Sequence, residues 1–198
     1  MTYRSLYSCR VCGHGLELVL DLGVQKLGGQ FPVIGEPDPP EAPLQLVVCN
    51  DCGLAQLLHT VDPELMFRNY GYRSSVTTTM KAHLAALAVQ AFTLTSTCKP
   101  VRRVLDIGAN DGTLLQMLAC DVKVGIDPSD VPPGQGDYRV KGFFPQDLPQ
   151  DLGGFDLIFT VACFYDANDP VGFASAVRDR LAWDGLWCVE VADAGKMA

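Results

Sequence analysis

The sequence predicts an α/β protein in which a parallel sheet covered by helices follows a small β-rich module held by cysteines. Three observations carry this expectation. From Val101 onward, strand-like and helix-like segments alternate, as they do when helices carry the crossovers of a parallel sheet. Ahead of them stand two Cys-x-x-Cys pairs, Cys9/Cys12 and Cys49/Cys52. Between the two regions runs a helical stretch interrupted by the tyrosine-rich segment Asn69–Ser75. The 198 residues and 48% apolar content suffice for a real core and one or two domains.

In chain order, residues 1–62 read as an irregular module of short strands and turns. It contains the apolar runs LELVLDLG and LQLVVC and a Gly/Pro-rich stretch between them. Residues 63–98 read as a helical connector. Met80, Leu84, Leu87, Ala88, Ala91 and Phe92 recur at helical spacing, and one of Thr77, Thr78 or Thr79 is placed to cap the start. Residues 99–198 form the third expected domain, opened by the Lys99-Pro100 boundary. Its strands are VRRVLDIG, VKVGID, YRVKGFF, FDLIFTVACFY and GLWCVEVAD; its helices are TLLQMLAC and DPVGFASAVRDRLAWDG. Pro132 and Pro133 leave little room for a full helix between the second and third strands.

The two cysteine pairs can place four thiolates tetrahedrally about one Zn²⁺. Gly13 and Gly53 follow the pairs and suit the tight turns that aim backbone N–H groups at sulfur. The 36 residues between the pairs make the gap long for a compact ribbon. A closed shell of four thiolates makes the expected ion structural, with Cys9, Cys12, Cys49 and Cys52 as its ligands. The alternatives are two disulfides or four free cysteines. Cys98, Cys120 and Cys188 read as core.

Composition narrows the partners. The net charge is −8, and residues 1–60 hold three cations against six anions. Nucleic-acid binding needs clustered Lys and Arg, so no nucleic-acid partner is expected. The longest apolar stretch, Phe155–Tyr165, is interrupted by Asp156 and Thr160 and is too short for a membrane span. The N-terminus lacks the apolar run of a secretory signal, so the expectation is a cytoplasmic protein with a small-molecule substrate and no membrane partner. Nothing in the sequence bears on oligomeric state.

The strongest local signal is Val104–Leu115, VLDIGANDGTLL. A buried strand ends in a glycine-bearing turn and a helix starts at once, the place where a doubly wound sheet receives a nucleotide-like ligand. Gly108 and Gly112 permit close backbone approach. A dinucleotide fingerprint fails, because Asn110 and Thr113 stand where its second and third glycines would be. A phosphate-cradling Gly-Lys-Ser/Thr is also absent. Asp106 and Asp111 flank the turn instead; they would repel a pyrophosphate and suit the ammonium and sulfonium groups of S-adenosylmethionine. Asp127, nineteen residues after Gly108, closes the second strand, where an acid can accept both ribose hydroxyl protons. The candidate cofactor residues are therefore Asp106, Gly108, Asn110, Asp111, Gly112 and Asp127, with Phe144 beside the adenine.

The stretches CRVCG, LQLVVCNDCGLAQL, MFRNYGYRSS, VLDIGANDGTLL, VGIDPS, FYDANDP and LAWDGLWCVE together resemble the family of C-methyltransferases that act on nucleotide-linked keto-sugars in deoxysugar biosynthesis. The resemblance spans nearly the whole chain. It implies a Rossmann-like class I methyltransferase sheet behind a zinc-binding module, and methylation by S-adenosylmethionine through an enolate. It also implies an enzyme about twice this length, whose catalytic His-Glu-His segment falls after Ala198, so that the sheet here is incomplete and its fifth strand is an edge. It brings Tyr70 and Tyr72 to the sugar as catalytic candidates and Arg73 toward a diphosphate. O-methylation of a small metabolite and a non-catalytic cofactor-binding fragment remain open alternatives.

Overall fold

A computed structural model describes residues 2–29, 31–95, 100–132 and 138–193. Cys98, Lys99 and Pro133 lie outside the described residues. The chain divides into two compact units, residues 1–71 with 168–171 and residues 72–167 with 172–198.

The first unit contains strands β1 (Tyr3–Ser5), β2 (Leu16–Lys26), β3 (Glu41–Cys49), β4 (Ala55–Leu57) and β5 (His59–Val61), then the short helix α1 (Pro63–Phe67). β1 pairs antiparallel with β5, and β2, β3 and β4 form an antiparallel sheet in that order. The long gap between the cysteine pairs is therefore filled by a β2–β3 ribbon, in register from Leu16 opposite Cys49 to Lys26 opposite Glu41. Among the described residues of this unit, Cys9, Leu27, Ala42, Val47 and Cys49 are the buried apolar ones. So small a core needs a staple, which is what a metal supplies in small modules.

The second unit opens with α2 (Thr78–Thr95). Thr77 is the capping threonine: its Oγ1 accepts the Met80 N–H at 3.2 Å. Then follow β6 (Arg103–Ile107), α3 (Thr113–Met117), β7 (Val122–Asp127), β8 (Tyr138–Lys141), β9 (Phe155–Val161), α4 (Pro170–Arg180) and β10 (Leu181–Glu190). The five strands are all parallel, in the order β10-β9-β6-β7-β8. Leu84, Ala88, Leu114, Leu115, Leu157 and Phe159 pack in one core cluster and Leu105, Ile107, Val124, Ile126, Ile158 and Val177 in the other. The α/β class is as the sequence implies, with β10 at one edge.

Several boundaries differ from expectation; the third strand, expected over YRVKGFF, stops at Lys141, and the fifth ends at Glu190. The helix expected over TLLQMLAC stops at Met117, because Leu118 is already extended. The fourth strand stops at Val161 instead of Tyr165, because Ala162 takes a φ of +51° and Phe164–Asp166 coil into a 3-10 turn. The last helix ends at Arg180, and Leu181–Gly185 already belong to β10, whose register against β9 shifts between Leu181 and Leu186. Gly185 sits in that irregularity, where a Cβ would meet the Phe155 carbonyl at 2.7 Å.

Candidate functional site

The strand order reverses beside β6: the chain runs from β6 to β7 and β8 on one side, and returns to β9 and β10 on the other. Ligands of open parallel sheets bind at the carboxyl ends of the strands at such a switch point. The turn after β6 lies here. Gly108 has a φ of +77°, and a Cβ on it would stand 3.0 Å from Cys163 Cβ and 3.1 Å from its sulfur. Any side chain would close the space between the ends of β6 and β9. The Gly108 and Ala109 amides both donate to the Ile126 carbonyl, at 2.8 and 3.2 Å, which ties the turn to β7. Gly125 on β7 faces the turn; a Cβ there would lie 2.9 Å from Ala109 Cβ.

Asp106, Gly108, Asn110, Asp111, Gly112 and Asp127 thus come together on one crest, all but the half-buried Gly108 buried. Their polar atoms are committed in a specific way. Asn110, at a φ of +50°, uses its side chain on the segment that precedes α2. Its Oδ1 accepts the Ser74 N–H at 3.0 Å and its Nδ2 donates to the Tyr72 carbonyl at 3.0 Å. Asp111 Oδ2 accepts the Ser75 N–H at 2.9 Å, while its Oδ1 accepts from the Thr113 amide at 3.2 Å and the Thr113 hydroxyl at 2.6 Å. Asp111 therefore caps α3, whose formal cap residue Gly112 has no side chain. Burial alone would raise the Asp111 carboxyl; hydrogen bonds from Thr113 and Ser75 more than offset it and hold the group below the ordinary carboxylate range.

Asp127 is 7% exposed. Its Oδ2 accepts the Asn110 amide at 2.8 Å, and its Oδ1 accepts from the Ser129 amide at 2.9 Å, the Ser129 hydroxyl, and Arg139 Nη2 at 3.2 Å. The crest is electronegative. The Cys163 thiol, which donates to the Ile107 carbonyl at 3.1 Å, is pushed up by burial and then by the charges of Asp106, Asp166 and Asp127. Asp166, in the turn after β9, is itself raised to about 6 by burial. Ala162 and Cys163 carry that turn across the switch point, and a non-glycine residue at positive φ costs energy that often marks a functional site.

Phe144 follows β8 and takes part in an aromatic cluster. Its ring packs edge-on against Phe173 of α4 at 4.9 Å, in an aromatic cluster that continues through Phe164 to Trp187. Tyr72 belongs to the second unit and its backbone is pinned by Asn110, whereas Tyr70 belongs to the first unit. There the Tyr70 ring lies 3.5 Å from where a Cβ on Gly29 would stand, and 6.4 Å from the Phe67 ring. Sequence reasoning missed Ser74 and Ser75, Arg139, and Asp156, whose Oδ2 accepts the Arg102 and Arg103 amides at 2.9 Å and anchors the start of β6. The Ser129 contact had a signal: Asp-x-Ser is a side-chain-to-backbone turn pattern. The others had none.

In the first unit, the sulfurs of Cys9, Cys12, Cys49 and Cys52 all lie within 4.8 Å of one another. The Cys12–Cys49 and Cys9–Cys52 separations are 3.4 and 3.6 Å. Both are too long for a disulfide, and close to the ~3.8 Å edge of a tetrahedron of sulfurs at ~2.3 Å from zinc. The Val11 and Asp51 amides each reach a sulfur, those of Cys9 and Cys49, at 3.4 Å. Led by the Cys12 amide, such contacts draw the Cys9 thiol down to about 6. The donor set is that of a closed, structural metal site.

Comparison with known proteins agrees with this division. Residues 9–67 match a family described as "Putative zinc binding domain", and residues 77–196 match one described as "Methyltransferase domain". The chain is 30% identical to the C-methyltransferase NovU of Streptomyces niveus over 95% of its own length and 48% of that protein's. It thus spans about half the length of this curated relative. Solved structures of the plantazolicin methyltransferase BpumL in complex with SAH and a monoazolic or triazolic desmethylPZN analog resemble it at 17% and 19% identity. They cover 57% of this chain in each case and 48% and 47% of theirs, with TM-scores of 0.49 and 0.48. The parallel sheet with its glycine-hinged acidic crest, the four-cysteine module ahead of it and the match over residues 77–196 lead to one assignment: the chain belongs to the methyltransferase-domain family, with a zinc-binding-type module at its front.

Proposed function

We propose that this chain is the zinc- and cofactor-binding part of an S-adenosylmethionine-dependent methyltransferase that methylates carbon on a nucleotide-linked keto-deoxysugar. The observation that carries the cofactor reading is the field at the switch point. Asp106, Asp111 and Asp127 are buried around the Gly108 turn and Arg139 is paired with one of them, so three carboxylates beside one guanidinium favour a cation there over a pyrophosphate. The fit is supported by the space over Gly108, which any Cβ would fill, and by the spare acceptor capacity of Asp127 Oδ2. Asp106, Gly108 and Asp127 would hold the cofactor; Asn110 and Asp111 would shape its rim through the 72–75 strap. When bound, the sulfonium supplies an electrophilic methyl group.

The substrate reading rests on the likeness to the C-methyltransferase NovU and on the tyrosine segment. The anchored backbone at Tyr72 supports this residue as a donor to a substrate oxygen. Tyr70, packed near Gly29 and Phe67, is the second candidate. A carbon beside a ketone would lose a proton to a base, and the resulting enolate's electron pair would form the new C–C bond to the methyl group as the S–CH3 bond breaks, its pair returning to sulfur and leaving S-adenosylhomocysteine. The four cysteines would hold Zn²⁺ as a structural ion. Calorimetry with S-adenosylmethionine, its demethylated product and NAD⁺ tests the cofactor reading: the first two should bind and the third should not. A nucleotide-linked keto-deoxysugar tests the substrate reading; failure to bind the protein in the presence of the demethylated cofactor would exclude it.

A further inference from the structure

The Asp127 carboxylate is asymmetric. A carboxylate oxygen offers about two acceptor sites. Among the described residues, Oδ1 receives three donors, the Ser129 amide, the Ser129 hydroxyl and Arg139 Nη2, and is saturated. Oδ2 receives one, the Asn110 amide, and keeps one site open. Arg139 is not a stray surface arginine. Its side chain is only 10% exposed, and besides Asp127 its guanidinium donates to the carbonyls of Val131 and Ser129 and to the Ser129 hydroxyl. It sits on β8 opposite Gly125 of β7, whose missing side chain belongs to the same crest. The arginine is locked to the backbone of the turn after β7, so it cannot leave Oδ1 without stranding a buried cation.

We infer that Arg139 is a positioning residue that, together with Ser129, blocks Asp127 Oδ1 and leaves Oδ2 to read a single hydroxyl of the cofactor ribose. The site then distinguishes the two ribose hydroxyls, where an unencumbered acid would accept both. This deepens the cofactor reading above and rests on it. The residue acts on the cofactor through Asp127 and touches no reacting atom.

The test is calorimetry or competition binding with S-adenosylhomocysteine and its 2′-deoxy and 3′-deoxy analogues. On the unaltered protein, loss of one hydroxyl should weaken binding about tenfold, the scale of one hydrogen bond to a charged acceptor, and loss of the other less than about twofold. In the double variant Arg139→Met/Ser129→Ala only the Ser129 amide remains on Oδ1, an acceptor site opens and the two penalties should converge; in Arg139→Met alone two donors still fill Oδ1 and the gap should persist. In Arg139→Lys, which keeps a cation and a donor, the asymmetry should persist. Ser129→Ala alone leaves the Ser129 amide and Arg139 on Oδ1, so its gap should persist too, and the gap measured on the unaltered protein keeps the inference testable if the double variant does not fold. An arginine with a merely structural role would weaken all three ligands by one common factor. Equal penalties for the two analogues on the unaltered protein overturn the inference, as does a gap that survives the double variant Arg139→Met/Ser129→Ala. Absence of binding by S-adenosylhomocysteine itself would overturn the cofactor reading, a different and separately visible result.

Discussion

Asp111→Asn probes the crest most sharply, because the substitution keeps the shape and changes only charge and donor pattern. The Asp111 carboxylate accepts three hydrogen bonds, one from Ser75 and two from Thr113, and the residue is 7% exposed. An amide must turn its NH₂ toward either the Ser75 amide or the Thr113 pair, setting donor against donor. Hydrogen bonds to a charged acceptor are worth about 1.5–3 kcal/mol each, and losing one while leaving a buried donor unmet should cost about 2–3 kcal/mol. The pH dependence has a defined sign. The folded carboxyl lies below its ordinary value, so its contribution is present above an unfolded pKa of about 3.9 and is lost as pH falls through the folded value. Urea unfolding at pH 7 should therefore show the full deficit, and the deficit should shrink below pH ~4. Hydrogen exchange should quicken at the Ser75 amide. A change under about 0.5 kcal/mol at pH 7 with unaltered Ser75 exchange would refute the strap-and-cap account.

Other perturbations follow from the same geometry. Gly108→Ala combines a disfavoured positive φ with a 3.0 Å approach to Cys163, and should abolish detectable cofactor binding while costing about 1–3 kcal/mol of stability in thermal unfolding. Asp166 carries a carboxyl raised to about 6, so ionising it destabilises the fold as pH rises from about 4 through 6; Asp166→Asn should be more stable than the parent above pH 6 and equal to it below about 4. The Cys163 thiol, pushed up and donating to Ile107, should resist iodoacetamide at pH 8 in the folded protein, as read by mass spectrometry. Elemental analysis should find one zinc per chain, and Cys49→Ser should release it and expose residues of the first unit to protease.

The parts of the fold written in local pattern were legible from the sequence. Alternation of buried apolar strands with helical segments specified the parallel sheet, and the turn VLDIGANDG marked the end of β6 at its switch point, because a strand–glycine–helix junction has few structural uses. Two Cys-x-x-Cys pairs announced the sulfur cluster, although their long separation became intelligible only with the β2–β3 ribbon that fills it. Legibility failed where tertiary contacts decide. Apolar content alone suggested that the fourth strand ran to Tyr165; the positive φ of Ala162 ends it four residues earlier. The roles of Asn110 and Asp111 as carriers of the 72–75 strap depend on partners 36–38 residues away, which no local window contains. Arg139 is an ordinary residue of a short strand until β8 is seen beside β7.

The crest over β6 is proposed to receive a cationic nucleoside. Calorimetric titration of the chain with S-adenosylmethionine measures it directly. Saturation of one site per chain well below millimolar ligand, lost in Asp127→Ala, is the expected result; a flat titration at millimolar ligand, or binding indifferent to Asp127→Ala, would contradict it.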